Sequence, residues 1–139
     1  MTDGTGKGLD VTRKEEEEQL LVRSKQFLET AEYQITRGLY GLAAFSLEQA
    51  LQLFLKSKML TAGADFPRTH SVRTLLEILS DLAPEEKKAS MKSMLNSYLL
   101  ELGMLEDAYI TSRYLPREIK RDEAERLMKV VKEVMENVT

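Results

Sequence analysis

The segment YGLAAFSLEQALQLFLKSKML, residues 40–60, constrains the fold more than any other part of this sequence. Its apolar side chains recur at intervals of three and four, which is the period of an α-helix. They form a stripe wide enough to contact more than one neighbouring element. The stripe consists of Ala43, Ala44, Leu47, Ala50, Leu51, Phe54, Leu55 and Met59. The segment therefore predicts a central core helix against which the rest of the chain packs.

The remaining sequence predicts four more helices and no sheet, because no segment alternates apolar and polar residues convincingly. A first helix precedes Gly38, and a short one spans about 71–82. Pro84, followed by two glutamates, begins a long helix in which Gly103 is a possible bend. The last helix spans about 118–137. We expect an all-α bundle of about five helices, with a four-helix core and one short helix.

Both ends of the domain can be placed from composition. The segment MTDGTGKGLDVT has three glycines and no apolar period, so residues 1–14 are predicted to be a disordered leader. Residues 15–139 are then a single domain, which suits a chain of 139 residues. The run Glu15–Glu18 is expected in the first helical turn, where the helix dipole favours negative charge.

Charge and cysteine content exclude several functional classes. The formal net charge is −3, and the first 18 residues carry that excess, so the rest of the chain is neutral. A neutral body is not expected to bind nucleic acid strongly. With no cysteine, thiolate metal sites and cysteine nucleophiles are ruled out. No apolar run is long enough to span a bilayer, and the expected location is the cytoplasm.

Three sequence motifs together resemble the HEPN domain family. They are AAFSLEQALQLFLKSKML in the central helix, PRTHSVRTLLEIL in the following loop and helix, and LEDAYITSRYLPRE near the end of the long helix. No single motif is strongly specific, but their order and separation are fairly specific, and the resemblance covers about residues 20–137. One departure is visible, because Leu115 stands between Tyr114 and Pro116, where the family usually has Arg-Tyr-Pro.

The resemblance implies an up-down helical bundle that is frequently a homodimer. Stand-alone members of this family are often encoded beside a minimal nucleotidyltransferase, and nucleotide binding has been proposed for the family. Many relatives are ribonucleases that work without a metal. These properties are expectations that the residues of this chain can test.

The ribonuclease branch of the family uses an arginine followed four to six residues later by a histidine. His70 is the single histidine here, and the residues five to seven positions before it are Asp65, Ala64 and Gly63. No histidine follows Arg113 within six residues either. The ribonuclease motif is therefore absent, and the sequence favours a protein that is not an enzyme, with no catalytic residues to assign.

Neither a metal nor a cofactor is expected. The Glu-x-x-His pattern of di-iron bundles would need a glutamate at position 67, which is Pro67. The segment GLYG at 38–41 lacks the spacing of a phosphate-binding glycine loop.

A set of basic and aromatic side chains is left as the candidate nucleotide-binding or anion-binding site. Arginine can grip phosphate with two hydrogen bonds, and tyrosine can stack on a base. Whether these residues converge on one pocket depends on the fold. The candidates are Lys56, Arg68, His70, Arg73, Tyr109, Arg113, Tyr114 and Arg117.

A plainer interpretation of the same residues is at least as favoured. Arg113 would then pair with Glu106 or Asp107, Tyr109 would fill the core, and the arginines near His70 would be solvated. In this interpretation the segment DFPRTHSVRTLL is a helix entry, with Thr69 or Ser71 as its cap.

Three functions follow from these alternatives. The first is a non-catalytic HEPN protein, homodimeric, that binds a nucleotide, a minimal nucleotidyltransferase, or both, as in a toxin–antitoxin pair. The second is a ribonuclease-type toxin with an unconventional site. The third is a dimeric helical scaffold without a small ligand.

Overall fold

The computed structural model of the chain describes residues 6–65, 67–114 and 118–139, without the side chains of 6–11 and 111–114. The described residues form six helices and no strand. These are α1 (Gly6–Thr36), α2 (Tyr40–Thr61), α3 (Val72–Leu82), α4 (Glu85–Ser97), α5 (Leu99–Tyr114) and α6 (Arg121–Val138). The predicted all-α helical bundle is confirmed.

Helix α2 is the central helix, as its apolar stripe predicts. It packs against α1, α3, α5 and α6. Every residue of the predicted stripe is buried, including Leu47, Leu51 and Leu55, which have no exposed surface. Burial of such leucines contributes about 2 kcal/mol each to folding.

Helices α1 and α2 form an antiparallel pair joined by a tight turn at Gly38. Near the turn, Ser46 Oγ donates to Gln34. Farther from the turn, Ser24 Oγ donates to the Ala50 carbonyl at a distance of 2.7 Å, as expected for antiparallel helices. Ser24 occupies the polar gap in the apolar face of α1 and is buried there. Gly38 has a φ of +75°, which glycine adopts without the strain a side chain would add.

The start of α1 differs from the prediction. The helix begins at Gly6, so it extends into the segment 1–14 that the sequence predicts to be a disordered leader. The run Glu15–Glu18 consequently lies inside the helix and not in its first turn. Arg13 Nη1 binds Asp65 Oδ1 at 3.0 Å, which ties this part of α1 to the loop after α2.

The long helix expected after Pro84 is two helices. The break lies at Tyr98, not at Gly103, and raises the number of helices from the expected five to six. The Tyr98 hydroxyl hydrogen-bonds Glu133 on α6, a tertiary contact that a local sequence pattern does not contain. Leu99, just beyond the break, is 48% exposed.

Candidate functional site

The candidate site lies where the loop before α3 crosses α2. Gly63 has a φ of +80° just beyond the end of α2, and the chain then turns back through Pro67 towards α3. This return places the loop against the last turns of α2. A pocket of about 470 Å³ results, lined by Lys56, Pro67, Arg68, Thr69 and His70.

Three of the predicted candidates therefore line one pocket. We call Lys56, Arg68 and His70 the basic cluster. Lys56 is half-buried on α2, whereas Arg68 and His70 are exposed on the loop. Arg68 is exposed and forms no ion pair with the residues that the structure describes.

A row of polar side chains on α2 supports the basic cluster from beneath. We call Glu48, Gln52 and Lys56, spaced four residues apart, the polar ladder. Gln52 Nε2 donates to Glu48 Oε2 at 2.8 Å, and Lys56 Nζ donates to Gln52 Oε1 at 3.0 Å. His70 Nδ1 lies 3.2 Å from the same Gln52 Oε1.

These contacts fix the hydrogen-bonding roles of His70. Gln52 Oε1 can only accept, so Nδ1 carries the proton and donates it.

Burial sets the charge states in the ladder. Burial raises the pKa of the fully buried Glu48 carboxyl to about 7, although hydrogen bonds from Gln52 and Gln49 oppose it. Burial also lowers the pKa of Lys56, and the Glu48 charge partly offsets that effect. Both groups lose hydration when they lose surface, which disfavours their charged forms.

Tyr109 of α5 lies beside the cluster. Its ring stacks on the His70 imidazole, with centroids 5.1 Å apart and planes inclined by 29°. Its neighbour on the other side is Phe45 of α2, at 6.2 Å and 10°. Tyr109 is half-buried, so it does not simply fill the core, and it holds the imidazole from the side while Gln52 holds it from below.

Arg73 belongs to a different arrangement. Its Nη2 donates to Glu106 Oε1 at 2.8 Å, and its backbone N–H donates to Glu106 Oε2 at 3.1 Å. Ser71 Oγ also donates to Glu106 Oε2, at 2.7 Å, while it accepts from the backbone N–H of Thr74. Arg73 is thus engaged in an ion pair at the start of α3, and Ser71 is the predicted helix cap.

The remaining candidates cannot be placed. The side chains of Arg113 and Tyr114, and all of Arg117, lie outside the described residues. Among the residues that are described, no three metal-ligating side chains come together.

Sequence reasoning missed Glu48, Gln52 and the role of Glu106. Glu48 and Gln52 lie on the buried face of α2, adjacent in phase to Leu47 and Leu51. Polar residues that interrupt an apolar stripe at intervals of four were the available signal, because such residues must find partners inside the protein.

Comparison with known proteins supports the fold and the family. The model of the HEPN domain family matches residues 17–139, which is most of the chain. The crystal structure of TT1696 from Thermus thermophilus superposes with a TM-score of 0.63 at 22% identity, over 88% of this chain and 94% of that one. No protein of curated function matches significantly.

None of the described helices combines the length and apolar character that crossing a bilayer requires.

Proposed function

We propose that this chain, which belongs to the HEPN domain family, is a non-catalytic module that binds a phosphate-bearing nucleotide at the basic cluster. One observation carries the proposal: Lys56, Arg68 and His70 come from two elements and line a single pocket. Convergent donors in a concave site are typical of phosphate recognition. The exposed Arg68 supplies a forked donor, and Lys56 supplies a half-buried charge.

The pocket offers a nucleotide more than charge. The His70 ring is already held on Tyr109, so the imidazole is in place before a ligand arrives. Holding a side chain in its bound position lowers the entropy lost on binding. A base could stack on the aromatic column of Phe45, Tyr109 and His70, while the phosphate contacts the cations.

Calorimetry with nucleoside monophosphates and triphosphates tests this proposal. We expect binding that Arg68→Ala and Lys56→Ala weaken at least tenfold. Lys92→Ala is the matched control. Lys92 pairs with Asp81 near the other end of α3, so this substitution removes one positive charge away from the pocket. Absence of heat at millimolar nucleotide, or equal loss in the control, would contradict the proposal.

The non-catalytic character is tested separately. Purified protein is incubated with total RNA without added metal, alongside His70→Ala and Arg113→Ala. We expect no cleavage. Cleavage by the wild type that both variants abolish would favour a ribonuclease with an unconventional site.

We further propose that the chain acts as a homodimer. Large apolar side chains stay exposed on α2 and α5, among them Leu42 at 52%, Leu100 at 76% and Ile110 at 57%. Large apolar side chains that stay exposed are candidates for an interface with a second copy of the chain. Light scattering at micromolar concentration is expected to give twice the monomer mass of 15.9 kDa, and a monodisperse monomer would refute the dimer.

Family membership also supports a minimal nucleotidyltransferase as the protein partner. Co-expression of the chain with a nucleotidyltransferase encoded beside it is expected to yield a stable complex on size-exclusion chromatography. Separate elution of the two proteins at micromolar concentration would count against this partner and leave nucleotide binding to be judged by calorimetry.

A further inference from the structure

The Glu48 carboxyl has no part in ligand contact, yet it lies directly beneath the basic cluster. Its residue has no exposed surface, and both of its oxygens accept hydrogen bonds, one from Gln52 and one from Gln49, each at 2.8 Å. A buried carboxyl is costly to ionise. Its presence on the buried face of α2 therefore calls for a physical explanation.

Glu48 is linked to the basic cluster through a single amide. Gln52 donates to Glu48 with its nitrogen, so its oxygen must point the other way, towards Lys56 and His70. The orientation of the Gln52 amide, and with it the position of two ligand-binding groups, depends on the partner at position 48.

The charged groups around Glu48 set the balance between its ionised and neutral forms. Lys56 on α2 favours its ionised form, and Glu106 on α5 opposes it, while burial raises its pKa to about 7. Glu106 itself forms an ion pair with Arg73 of α3, and the positive charge of Arg73 offsets the negative charge of Glu106. His70 contacts the ladder at Gln52 and stacks on Tyr109 of α5, and Lys56 is the cation that favours the ionised form of Glu48.

We propose that an anion bound at the basic cluster draws a proton onto Glu48, so that Glu48 acts as a positioning residue through Gln52 and makes occupancy of the pocket depend on pH. This inference rests on the proposed anion-binding function. When Glu48 is ionised, its charge offsets that of Lys56 and weakens attraction for the anion. When Glu48 is neutral, its charge no longer offsets that of Lys56.

Linkage makes the effect reciprocal. If protonation of Glu48 strengthens anion binding, then anion binding must raise the affinity of Glu48 for its proton by the same factor. Affinity is consequently expected to increase as the pH falls through about 7. His70 also lines the pocket, so its contribution to binding is separated from that of Glu48 by mutation.

Sulfate is the probe for this inference, because its charge does not change between about pH 5.5 and 8.5 and so adds no proton of its own. Calorimetry in two buffers of different ionisation enthalpy measures the protons taken up on binding. For the wild type at pH 7.5 we expect fractional proton uptake, and affinity several-fold higher at the acid end of the range.

Glu48→Gln isolates the contribution of Glu48, since it keeps the shape and a carbonyl oxygen for Gln52 but has no proton to gain. This variant is expected to bind sulfate at pH 8.5 several-fold more tightly than the wild type does, with less proton uptake. His70→Asn is expected to keep the uptake that depends on Glu48. Asp81→Asn is the matched control, because it removes one carboxylate charge at the exposed end of α3.

The outcomes separate the two proposals. Sulfate binding with identical proton uptake in the wild type and Glu48→Gln would overturn the coupling and leave the anion site intact. No sulfate binding by the wild type at any pH would overturn the proposed function. An equal change in Asp81→Asn would attribute the effect to net charge and would also overturn the coupling.

Discussion

The Glu106 carboxylate on α5 accepts a hydrogen bond from Ser71 Oγ at 2.7 Å and thereby fixes the residue that caps α3. The same carboxylate binds the backbone and guanidinium of Arg73. One side chain of α5 thus holds the first turn of α3, and the loop that carries His70 ends at this point. The position of the pocket depends on a contact outside it.

Replacing Glu106 with glutamine should therefore destabilise the protein at neutral pH. The change removes a charge-assisted bond to Arg73, and we expect a loss of about 2 kcal/mol in the free energy of unfolding. Urea denaturation of the variant and the wild type at pH 7 measures it. Glu125→Gln is the control, because that carboxylate pairs with Arg121 on the exposed side of α6 and should cost less than about 0.5 kcal/mol.

The difference between Glu106→Gln and the wild type should diminish in acid. Burial raises the pKa of Glu106, but hydrogen bonds from Arg73 and Ser71 outweigh it, so the pKa lies below the ordinary value of 4.5. In acid the unfolded chain then binds more protons than the native state, and the stabilisation is lost as the pH falls below about 4.5. Equal differences at pH 7 and pH 3 would contradict this account.

Glu48 should give the opposite pH dependence. Its pKa is about 7 in the folded protein and 4.5 when solvated, so between these values the native state binds the additional proton. The free energy of unfolding is therefore expected to fall as the pH rises from 4.5 to 7, by an amount on the order of 3 kcal/mol, and to change little above that. Urea denaturation of Glu48→Gln should lack this decline; the same decline in both proteins would show that another group causes it.

Two glycines with different backbone requirements should respond in opposite ways to alanine. Gly63 has a φ of +80° after α2, where a side chain is strained, so Gly63→Ala should cost about 1 kcal/mol. Gly103 lies inside α5, and an added Cβ would meet the Arg73 guanidinium at an ordinary 3.6 Å. Gly103→Ala should therefore be neutral or stabilise by up to about 1 kcal/mol. Thermal unfolding of the two variants checks the contrast, which a shared loss of stability would refute.

The sequence predicted the parts of the fold that depend on helical period and chain breakers. The stripe on α2, the turn at Gly38 and the cap at Ser71 are local patterns, and each is found in the structure. The break at Tyr98 was missed because its contact with Glu133 joins distant segments, and the helical pattern continues across it.

The candidate site could be predicted only in part for the same reason. Residue types suggested Lys56, Arg68 and His70, but their meeting depends on how the loop crosses α2. The pairing of Glu106 with Arg73 is likewise set by the packing of α3 on α5. Gln52 interrupts the apolar stripe of α2 four residues after Glu48, but that pattern alone does not reveal which partners it binds.

Tyr109 offers the most direct test of how the pocket is held together. Its ring contacts both Phe45 and His70, and it fixes the imidazole at the edge of the pocket. Tyr109→Phe keeps both ring contacts, so the affinity for sulfate at pH 7 should stay within about twofold of the wild type. Tyr109→Leu removes them, and we expect a loss of about 1 kcal/mol in stability and several-fold weaker sulfate binding.

Calorimetry measures the change in sulfate binding, and urea denaturation measures the change in stability. Phe54→Leu, an aromatic substitution elsewhere on α2, is the control for a general loss of packing. If Tyr109→Leu lowers stability without weakening sulfate binding, the aromatic contact supports the fold alone and the ligand does not depend on the position of His70.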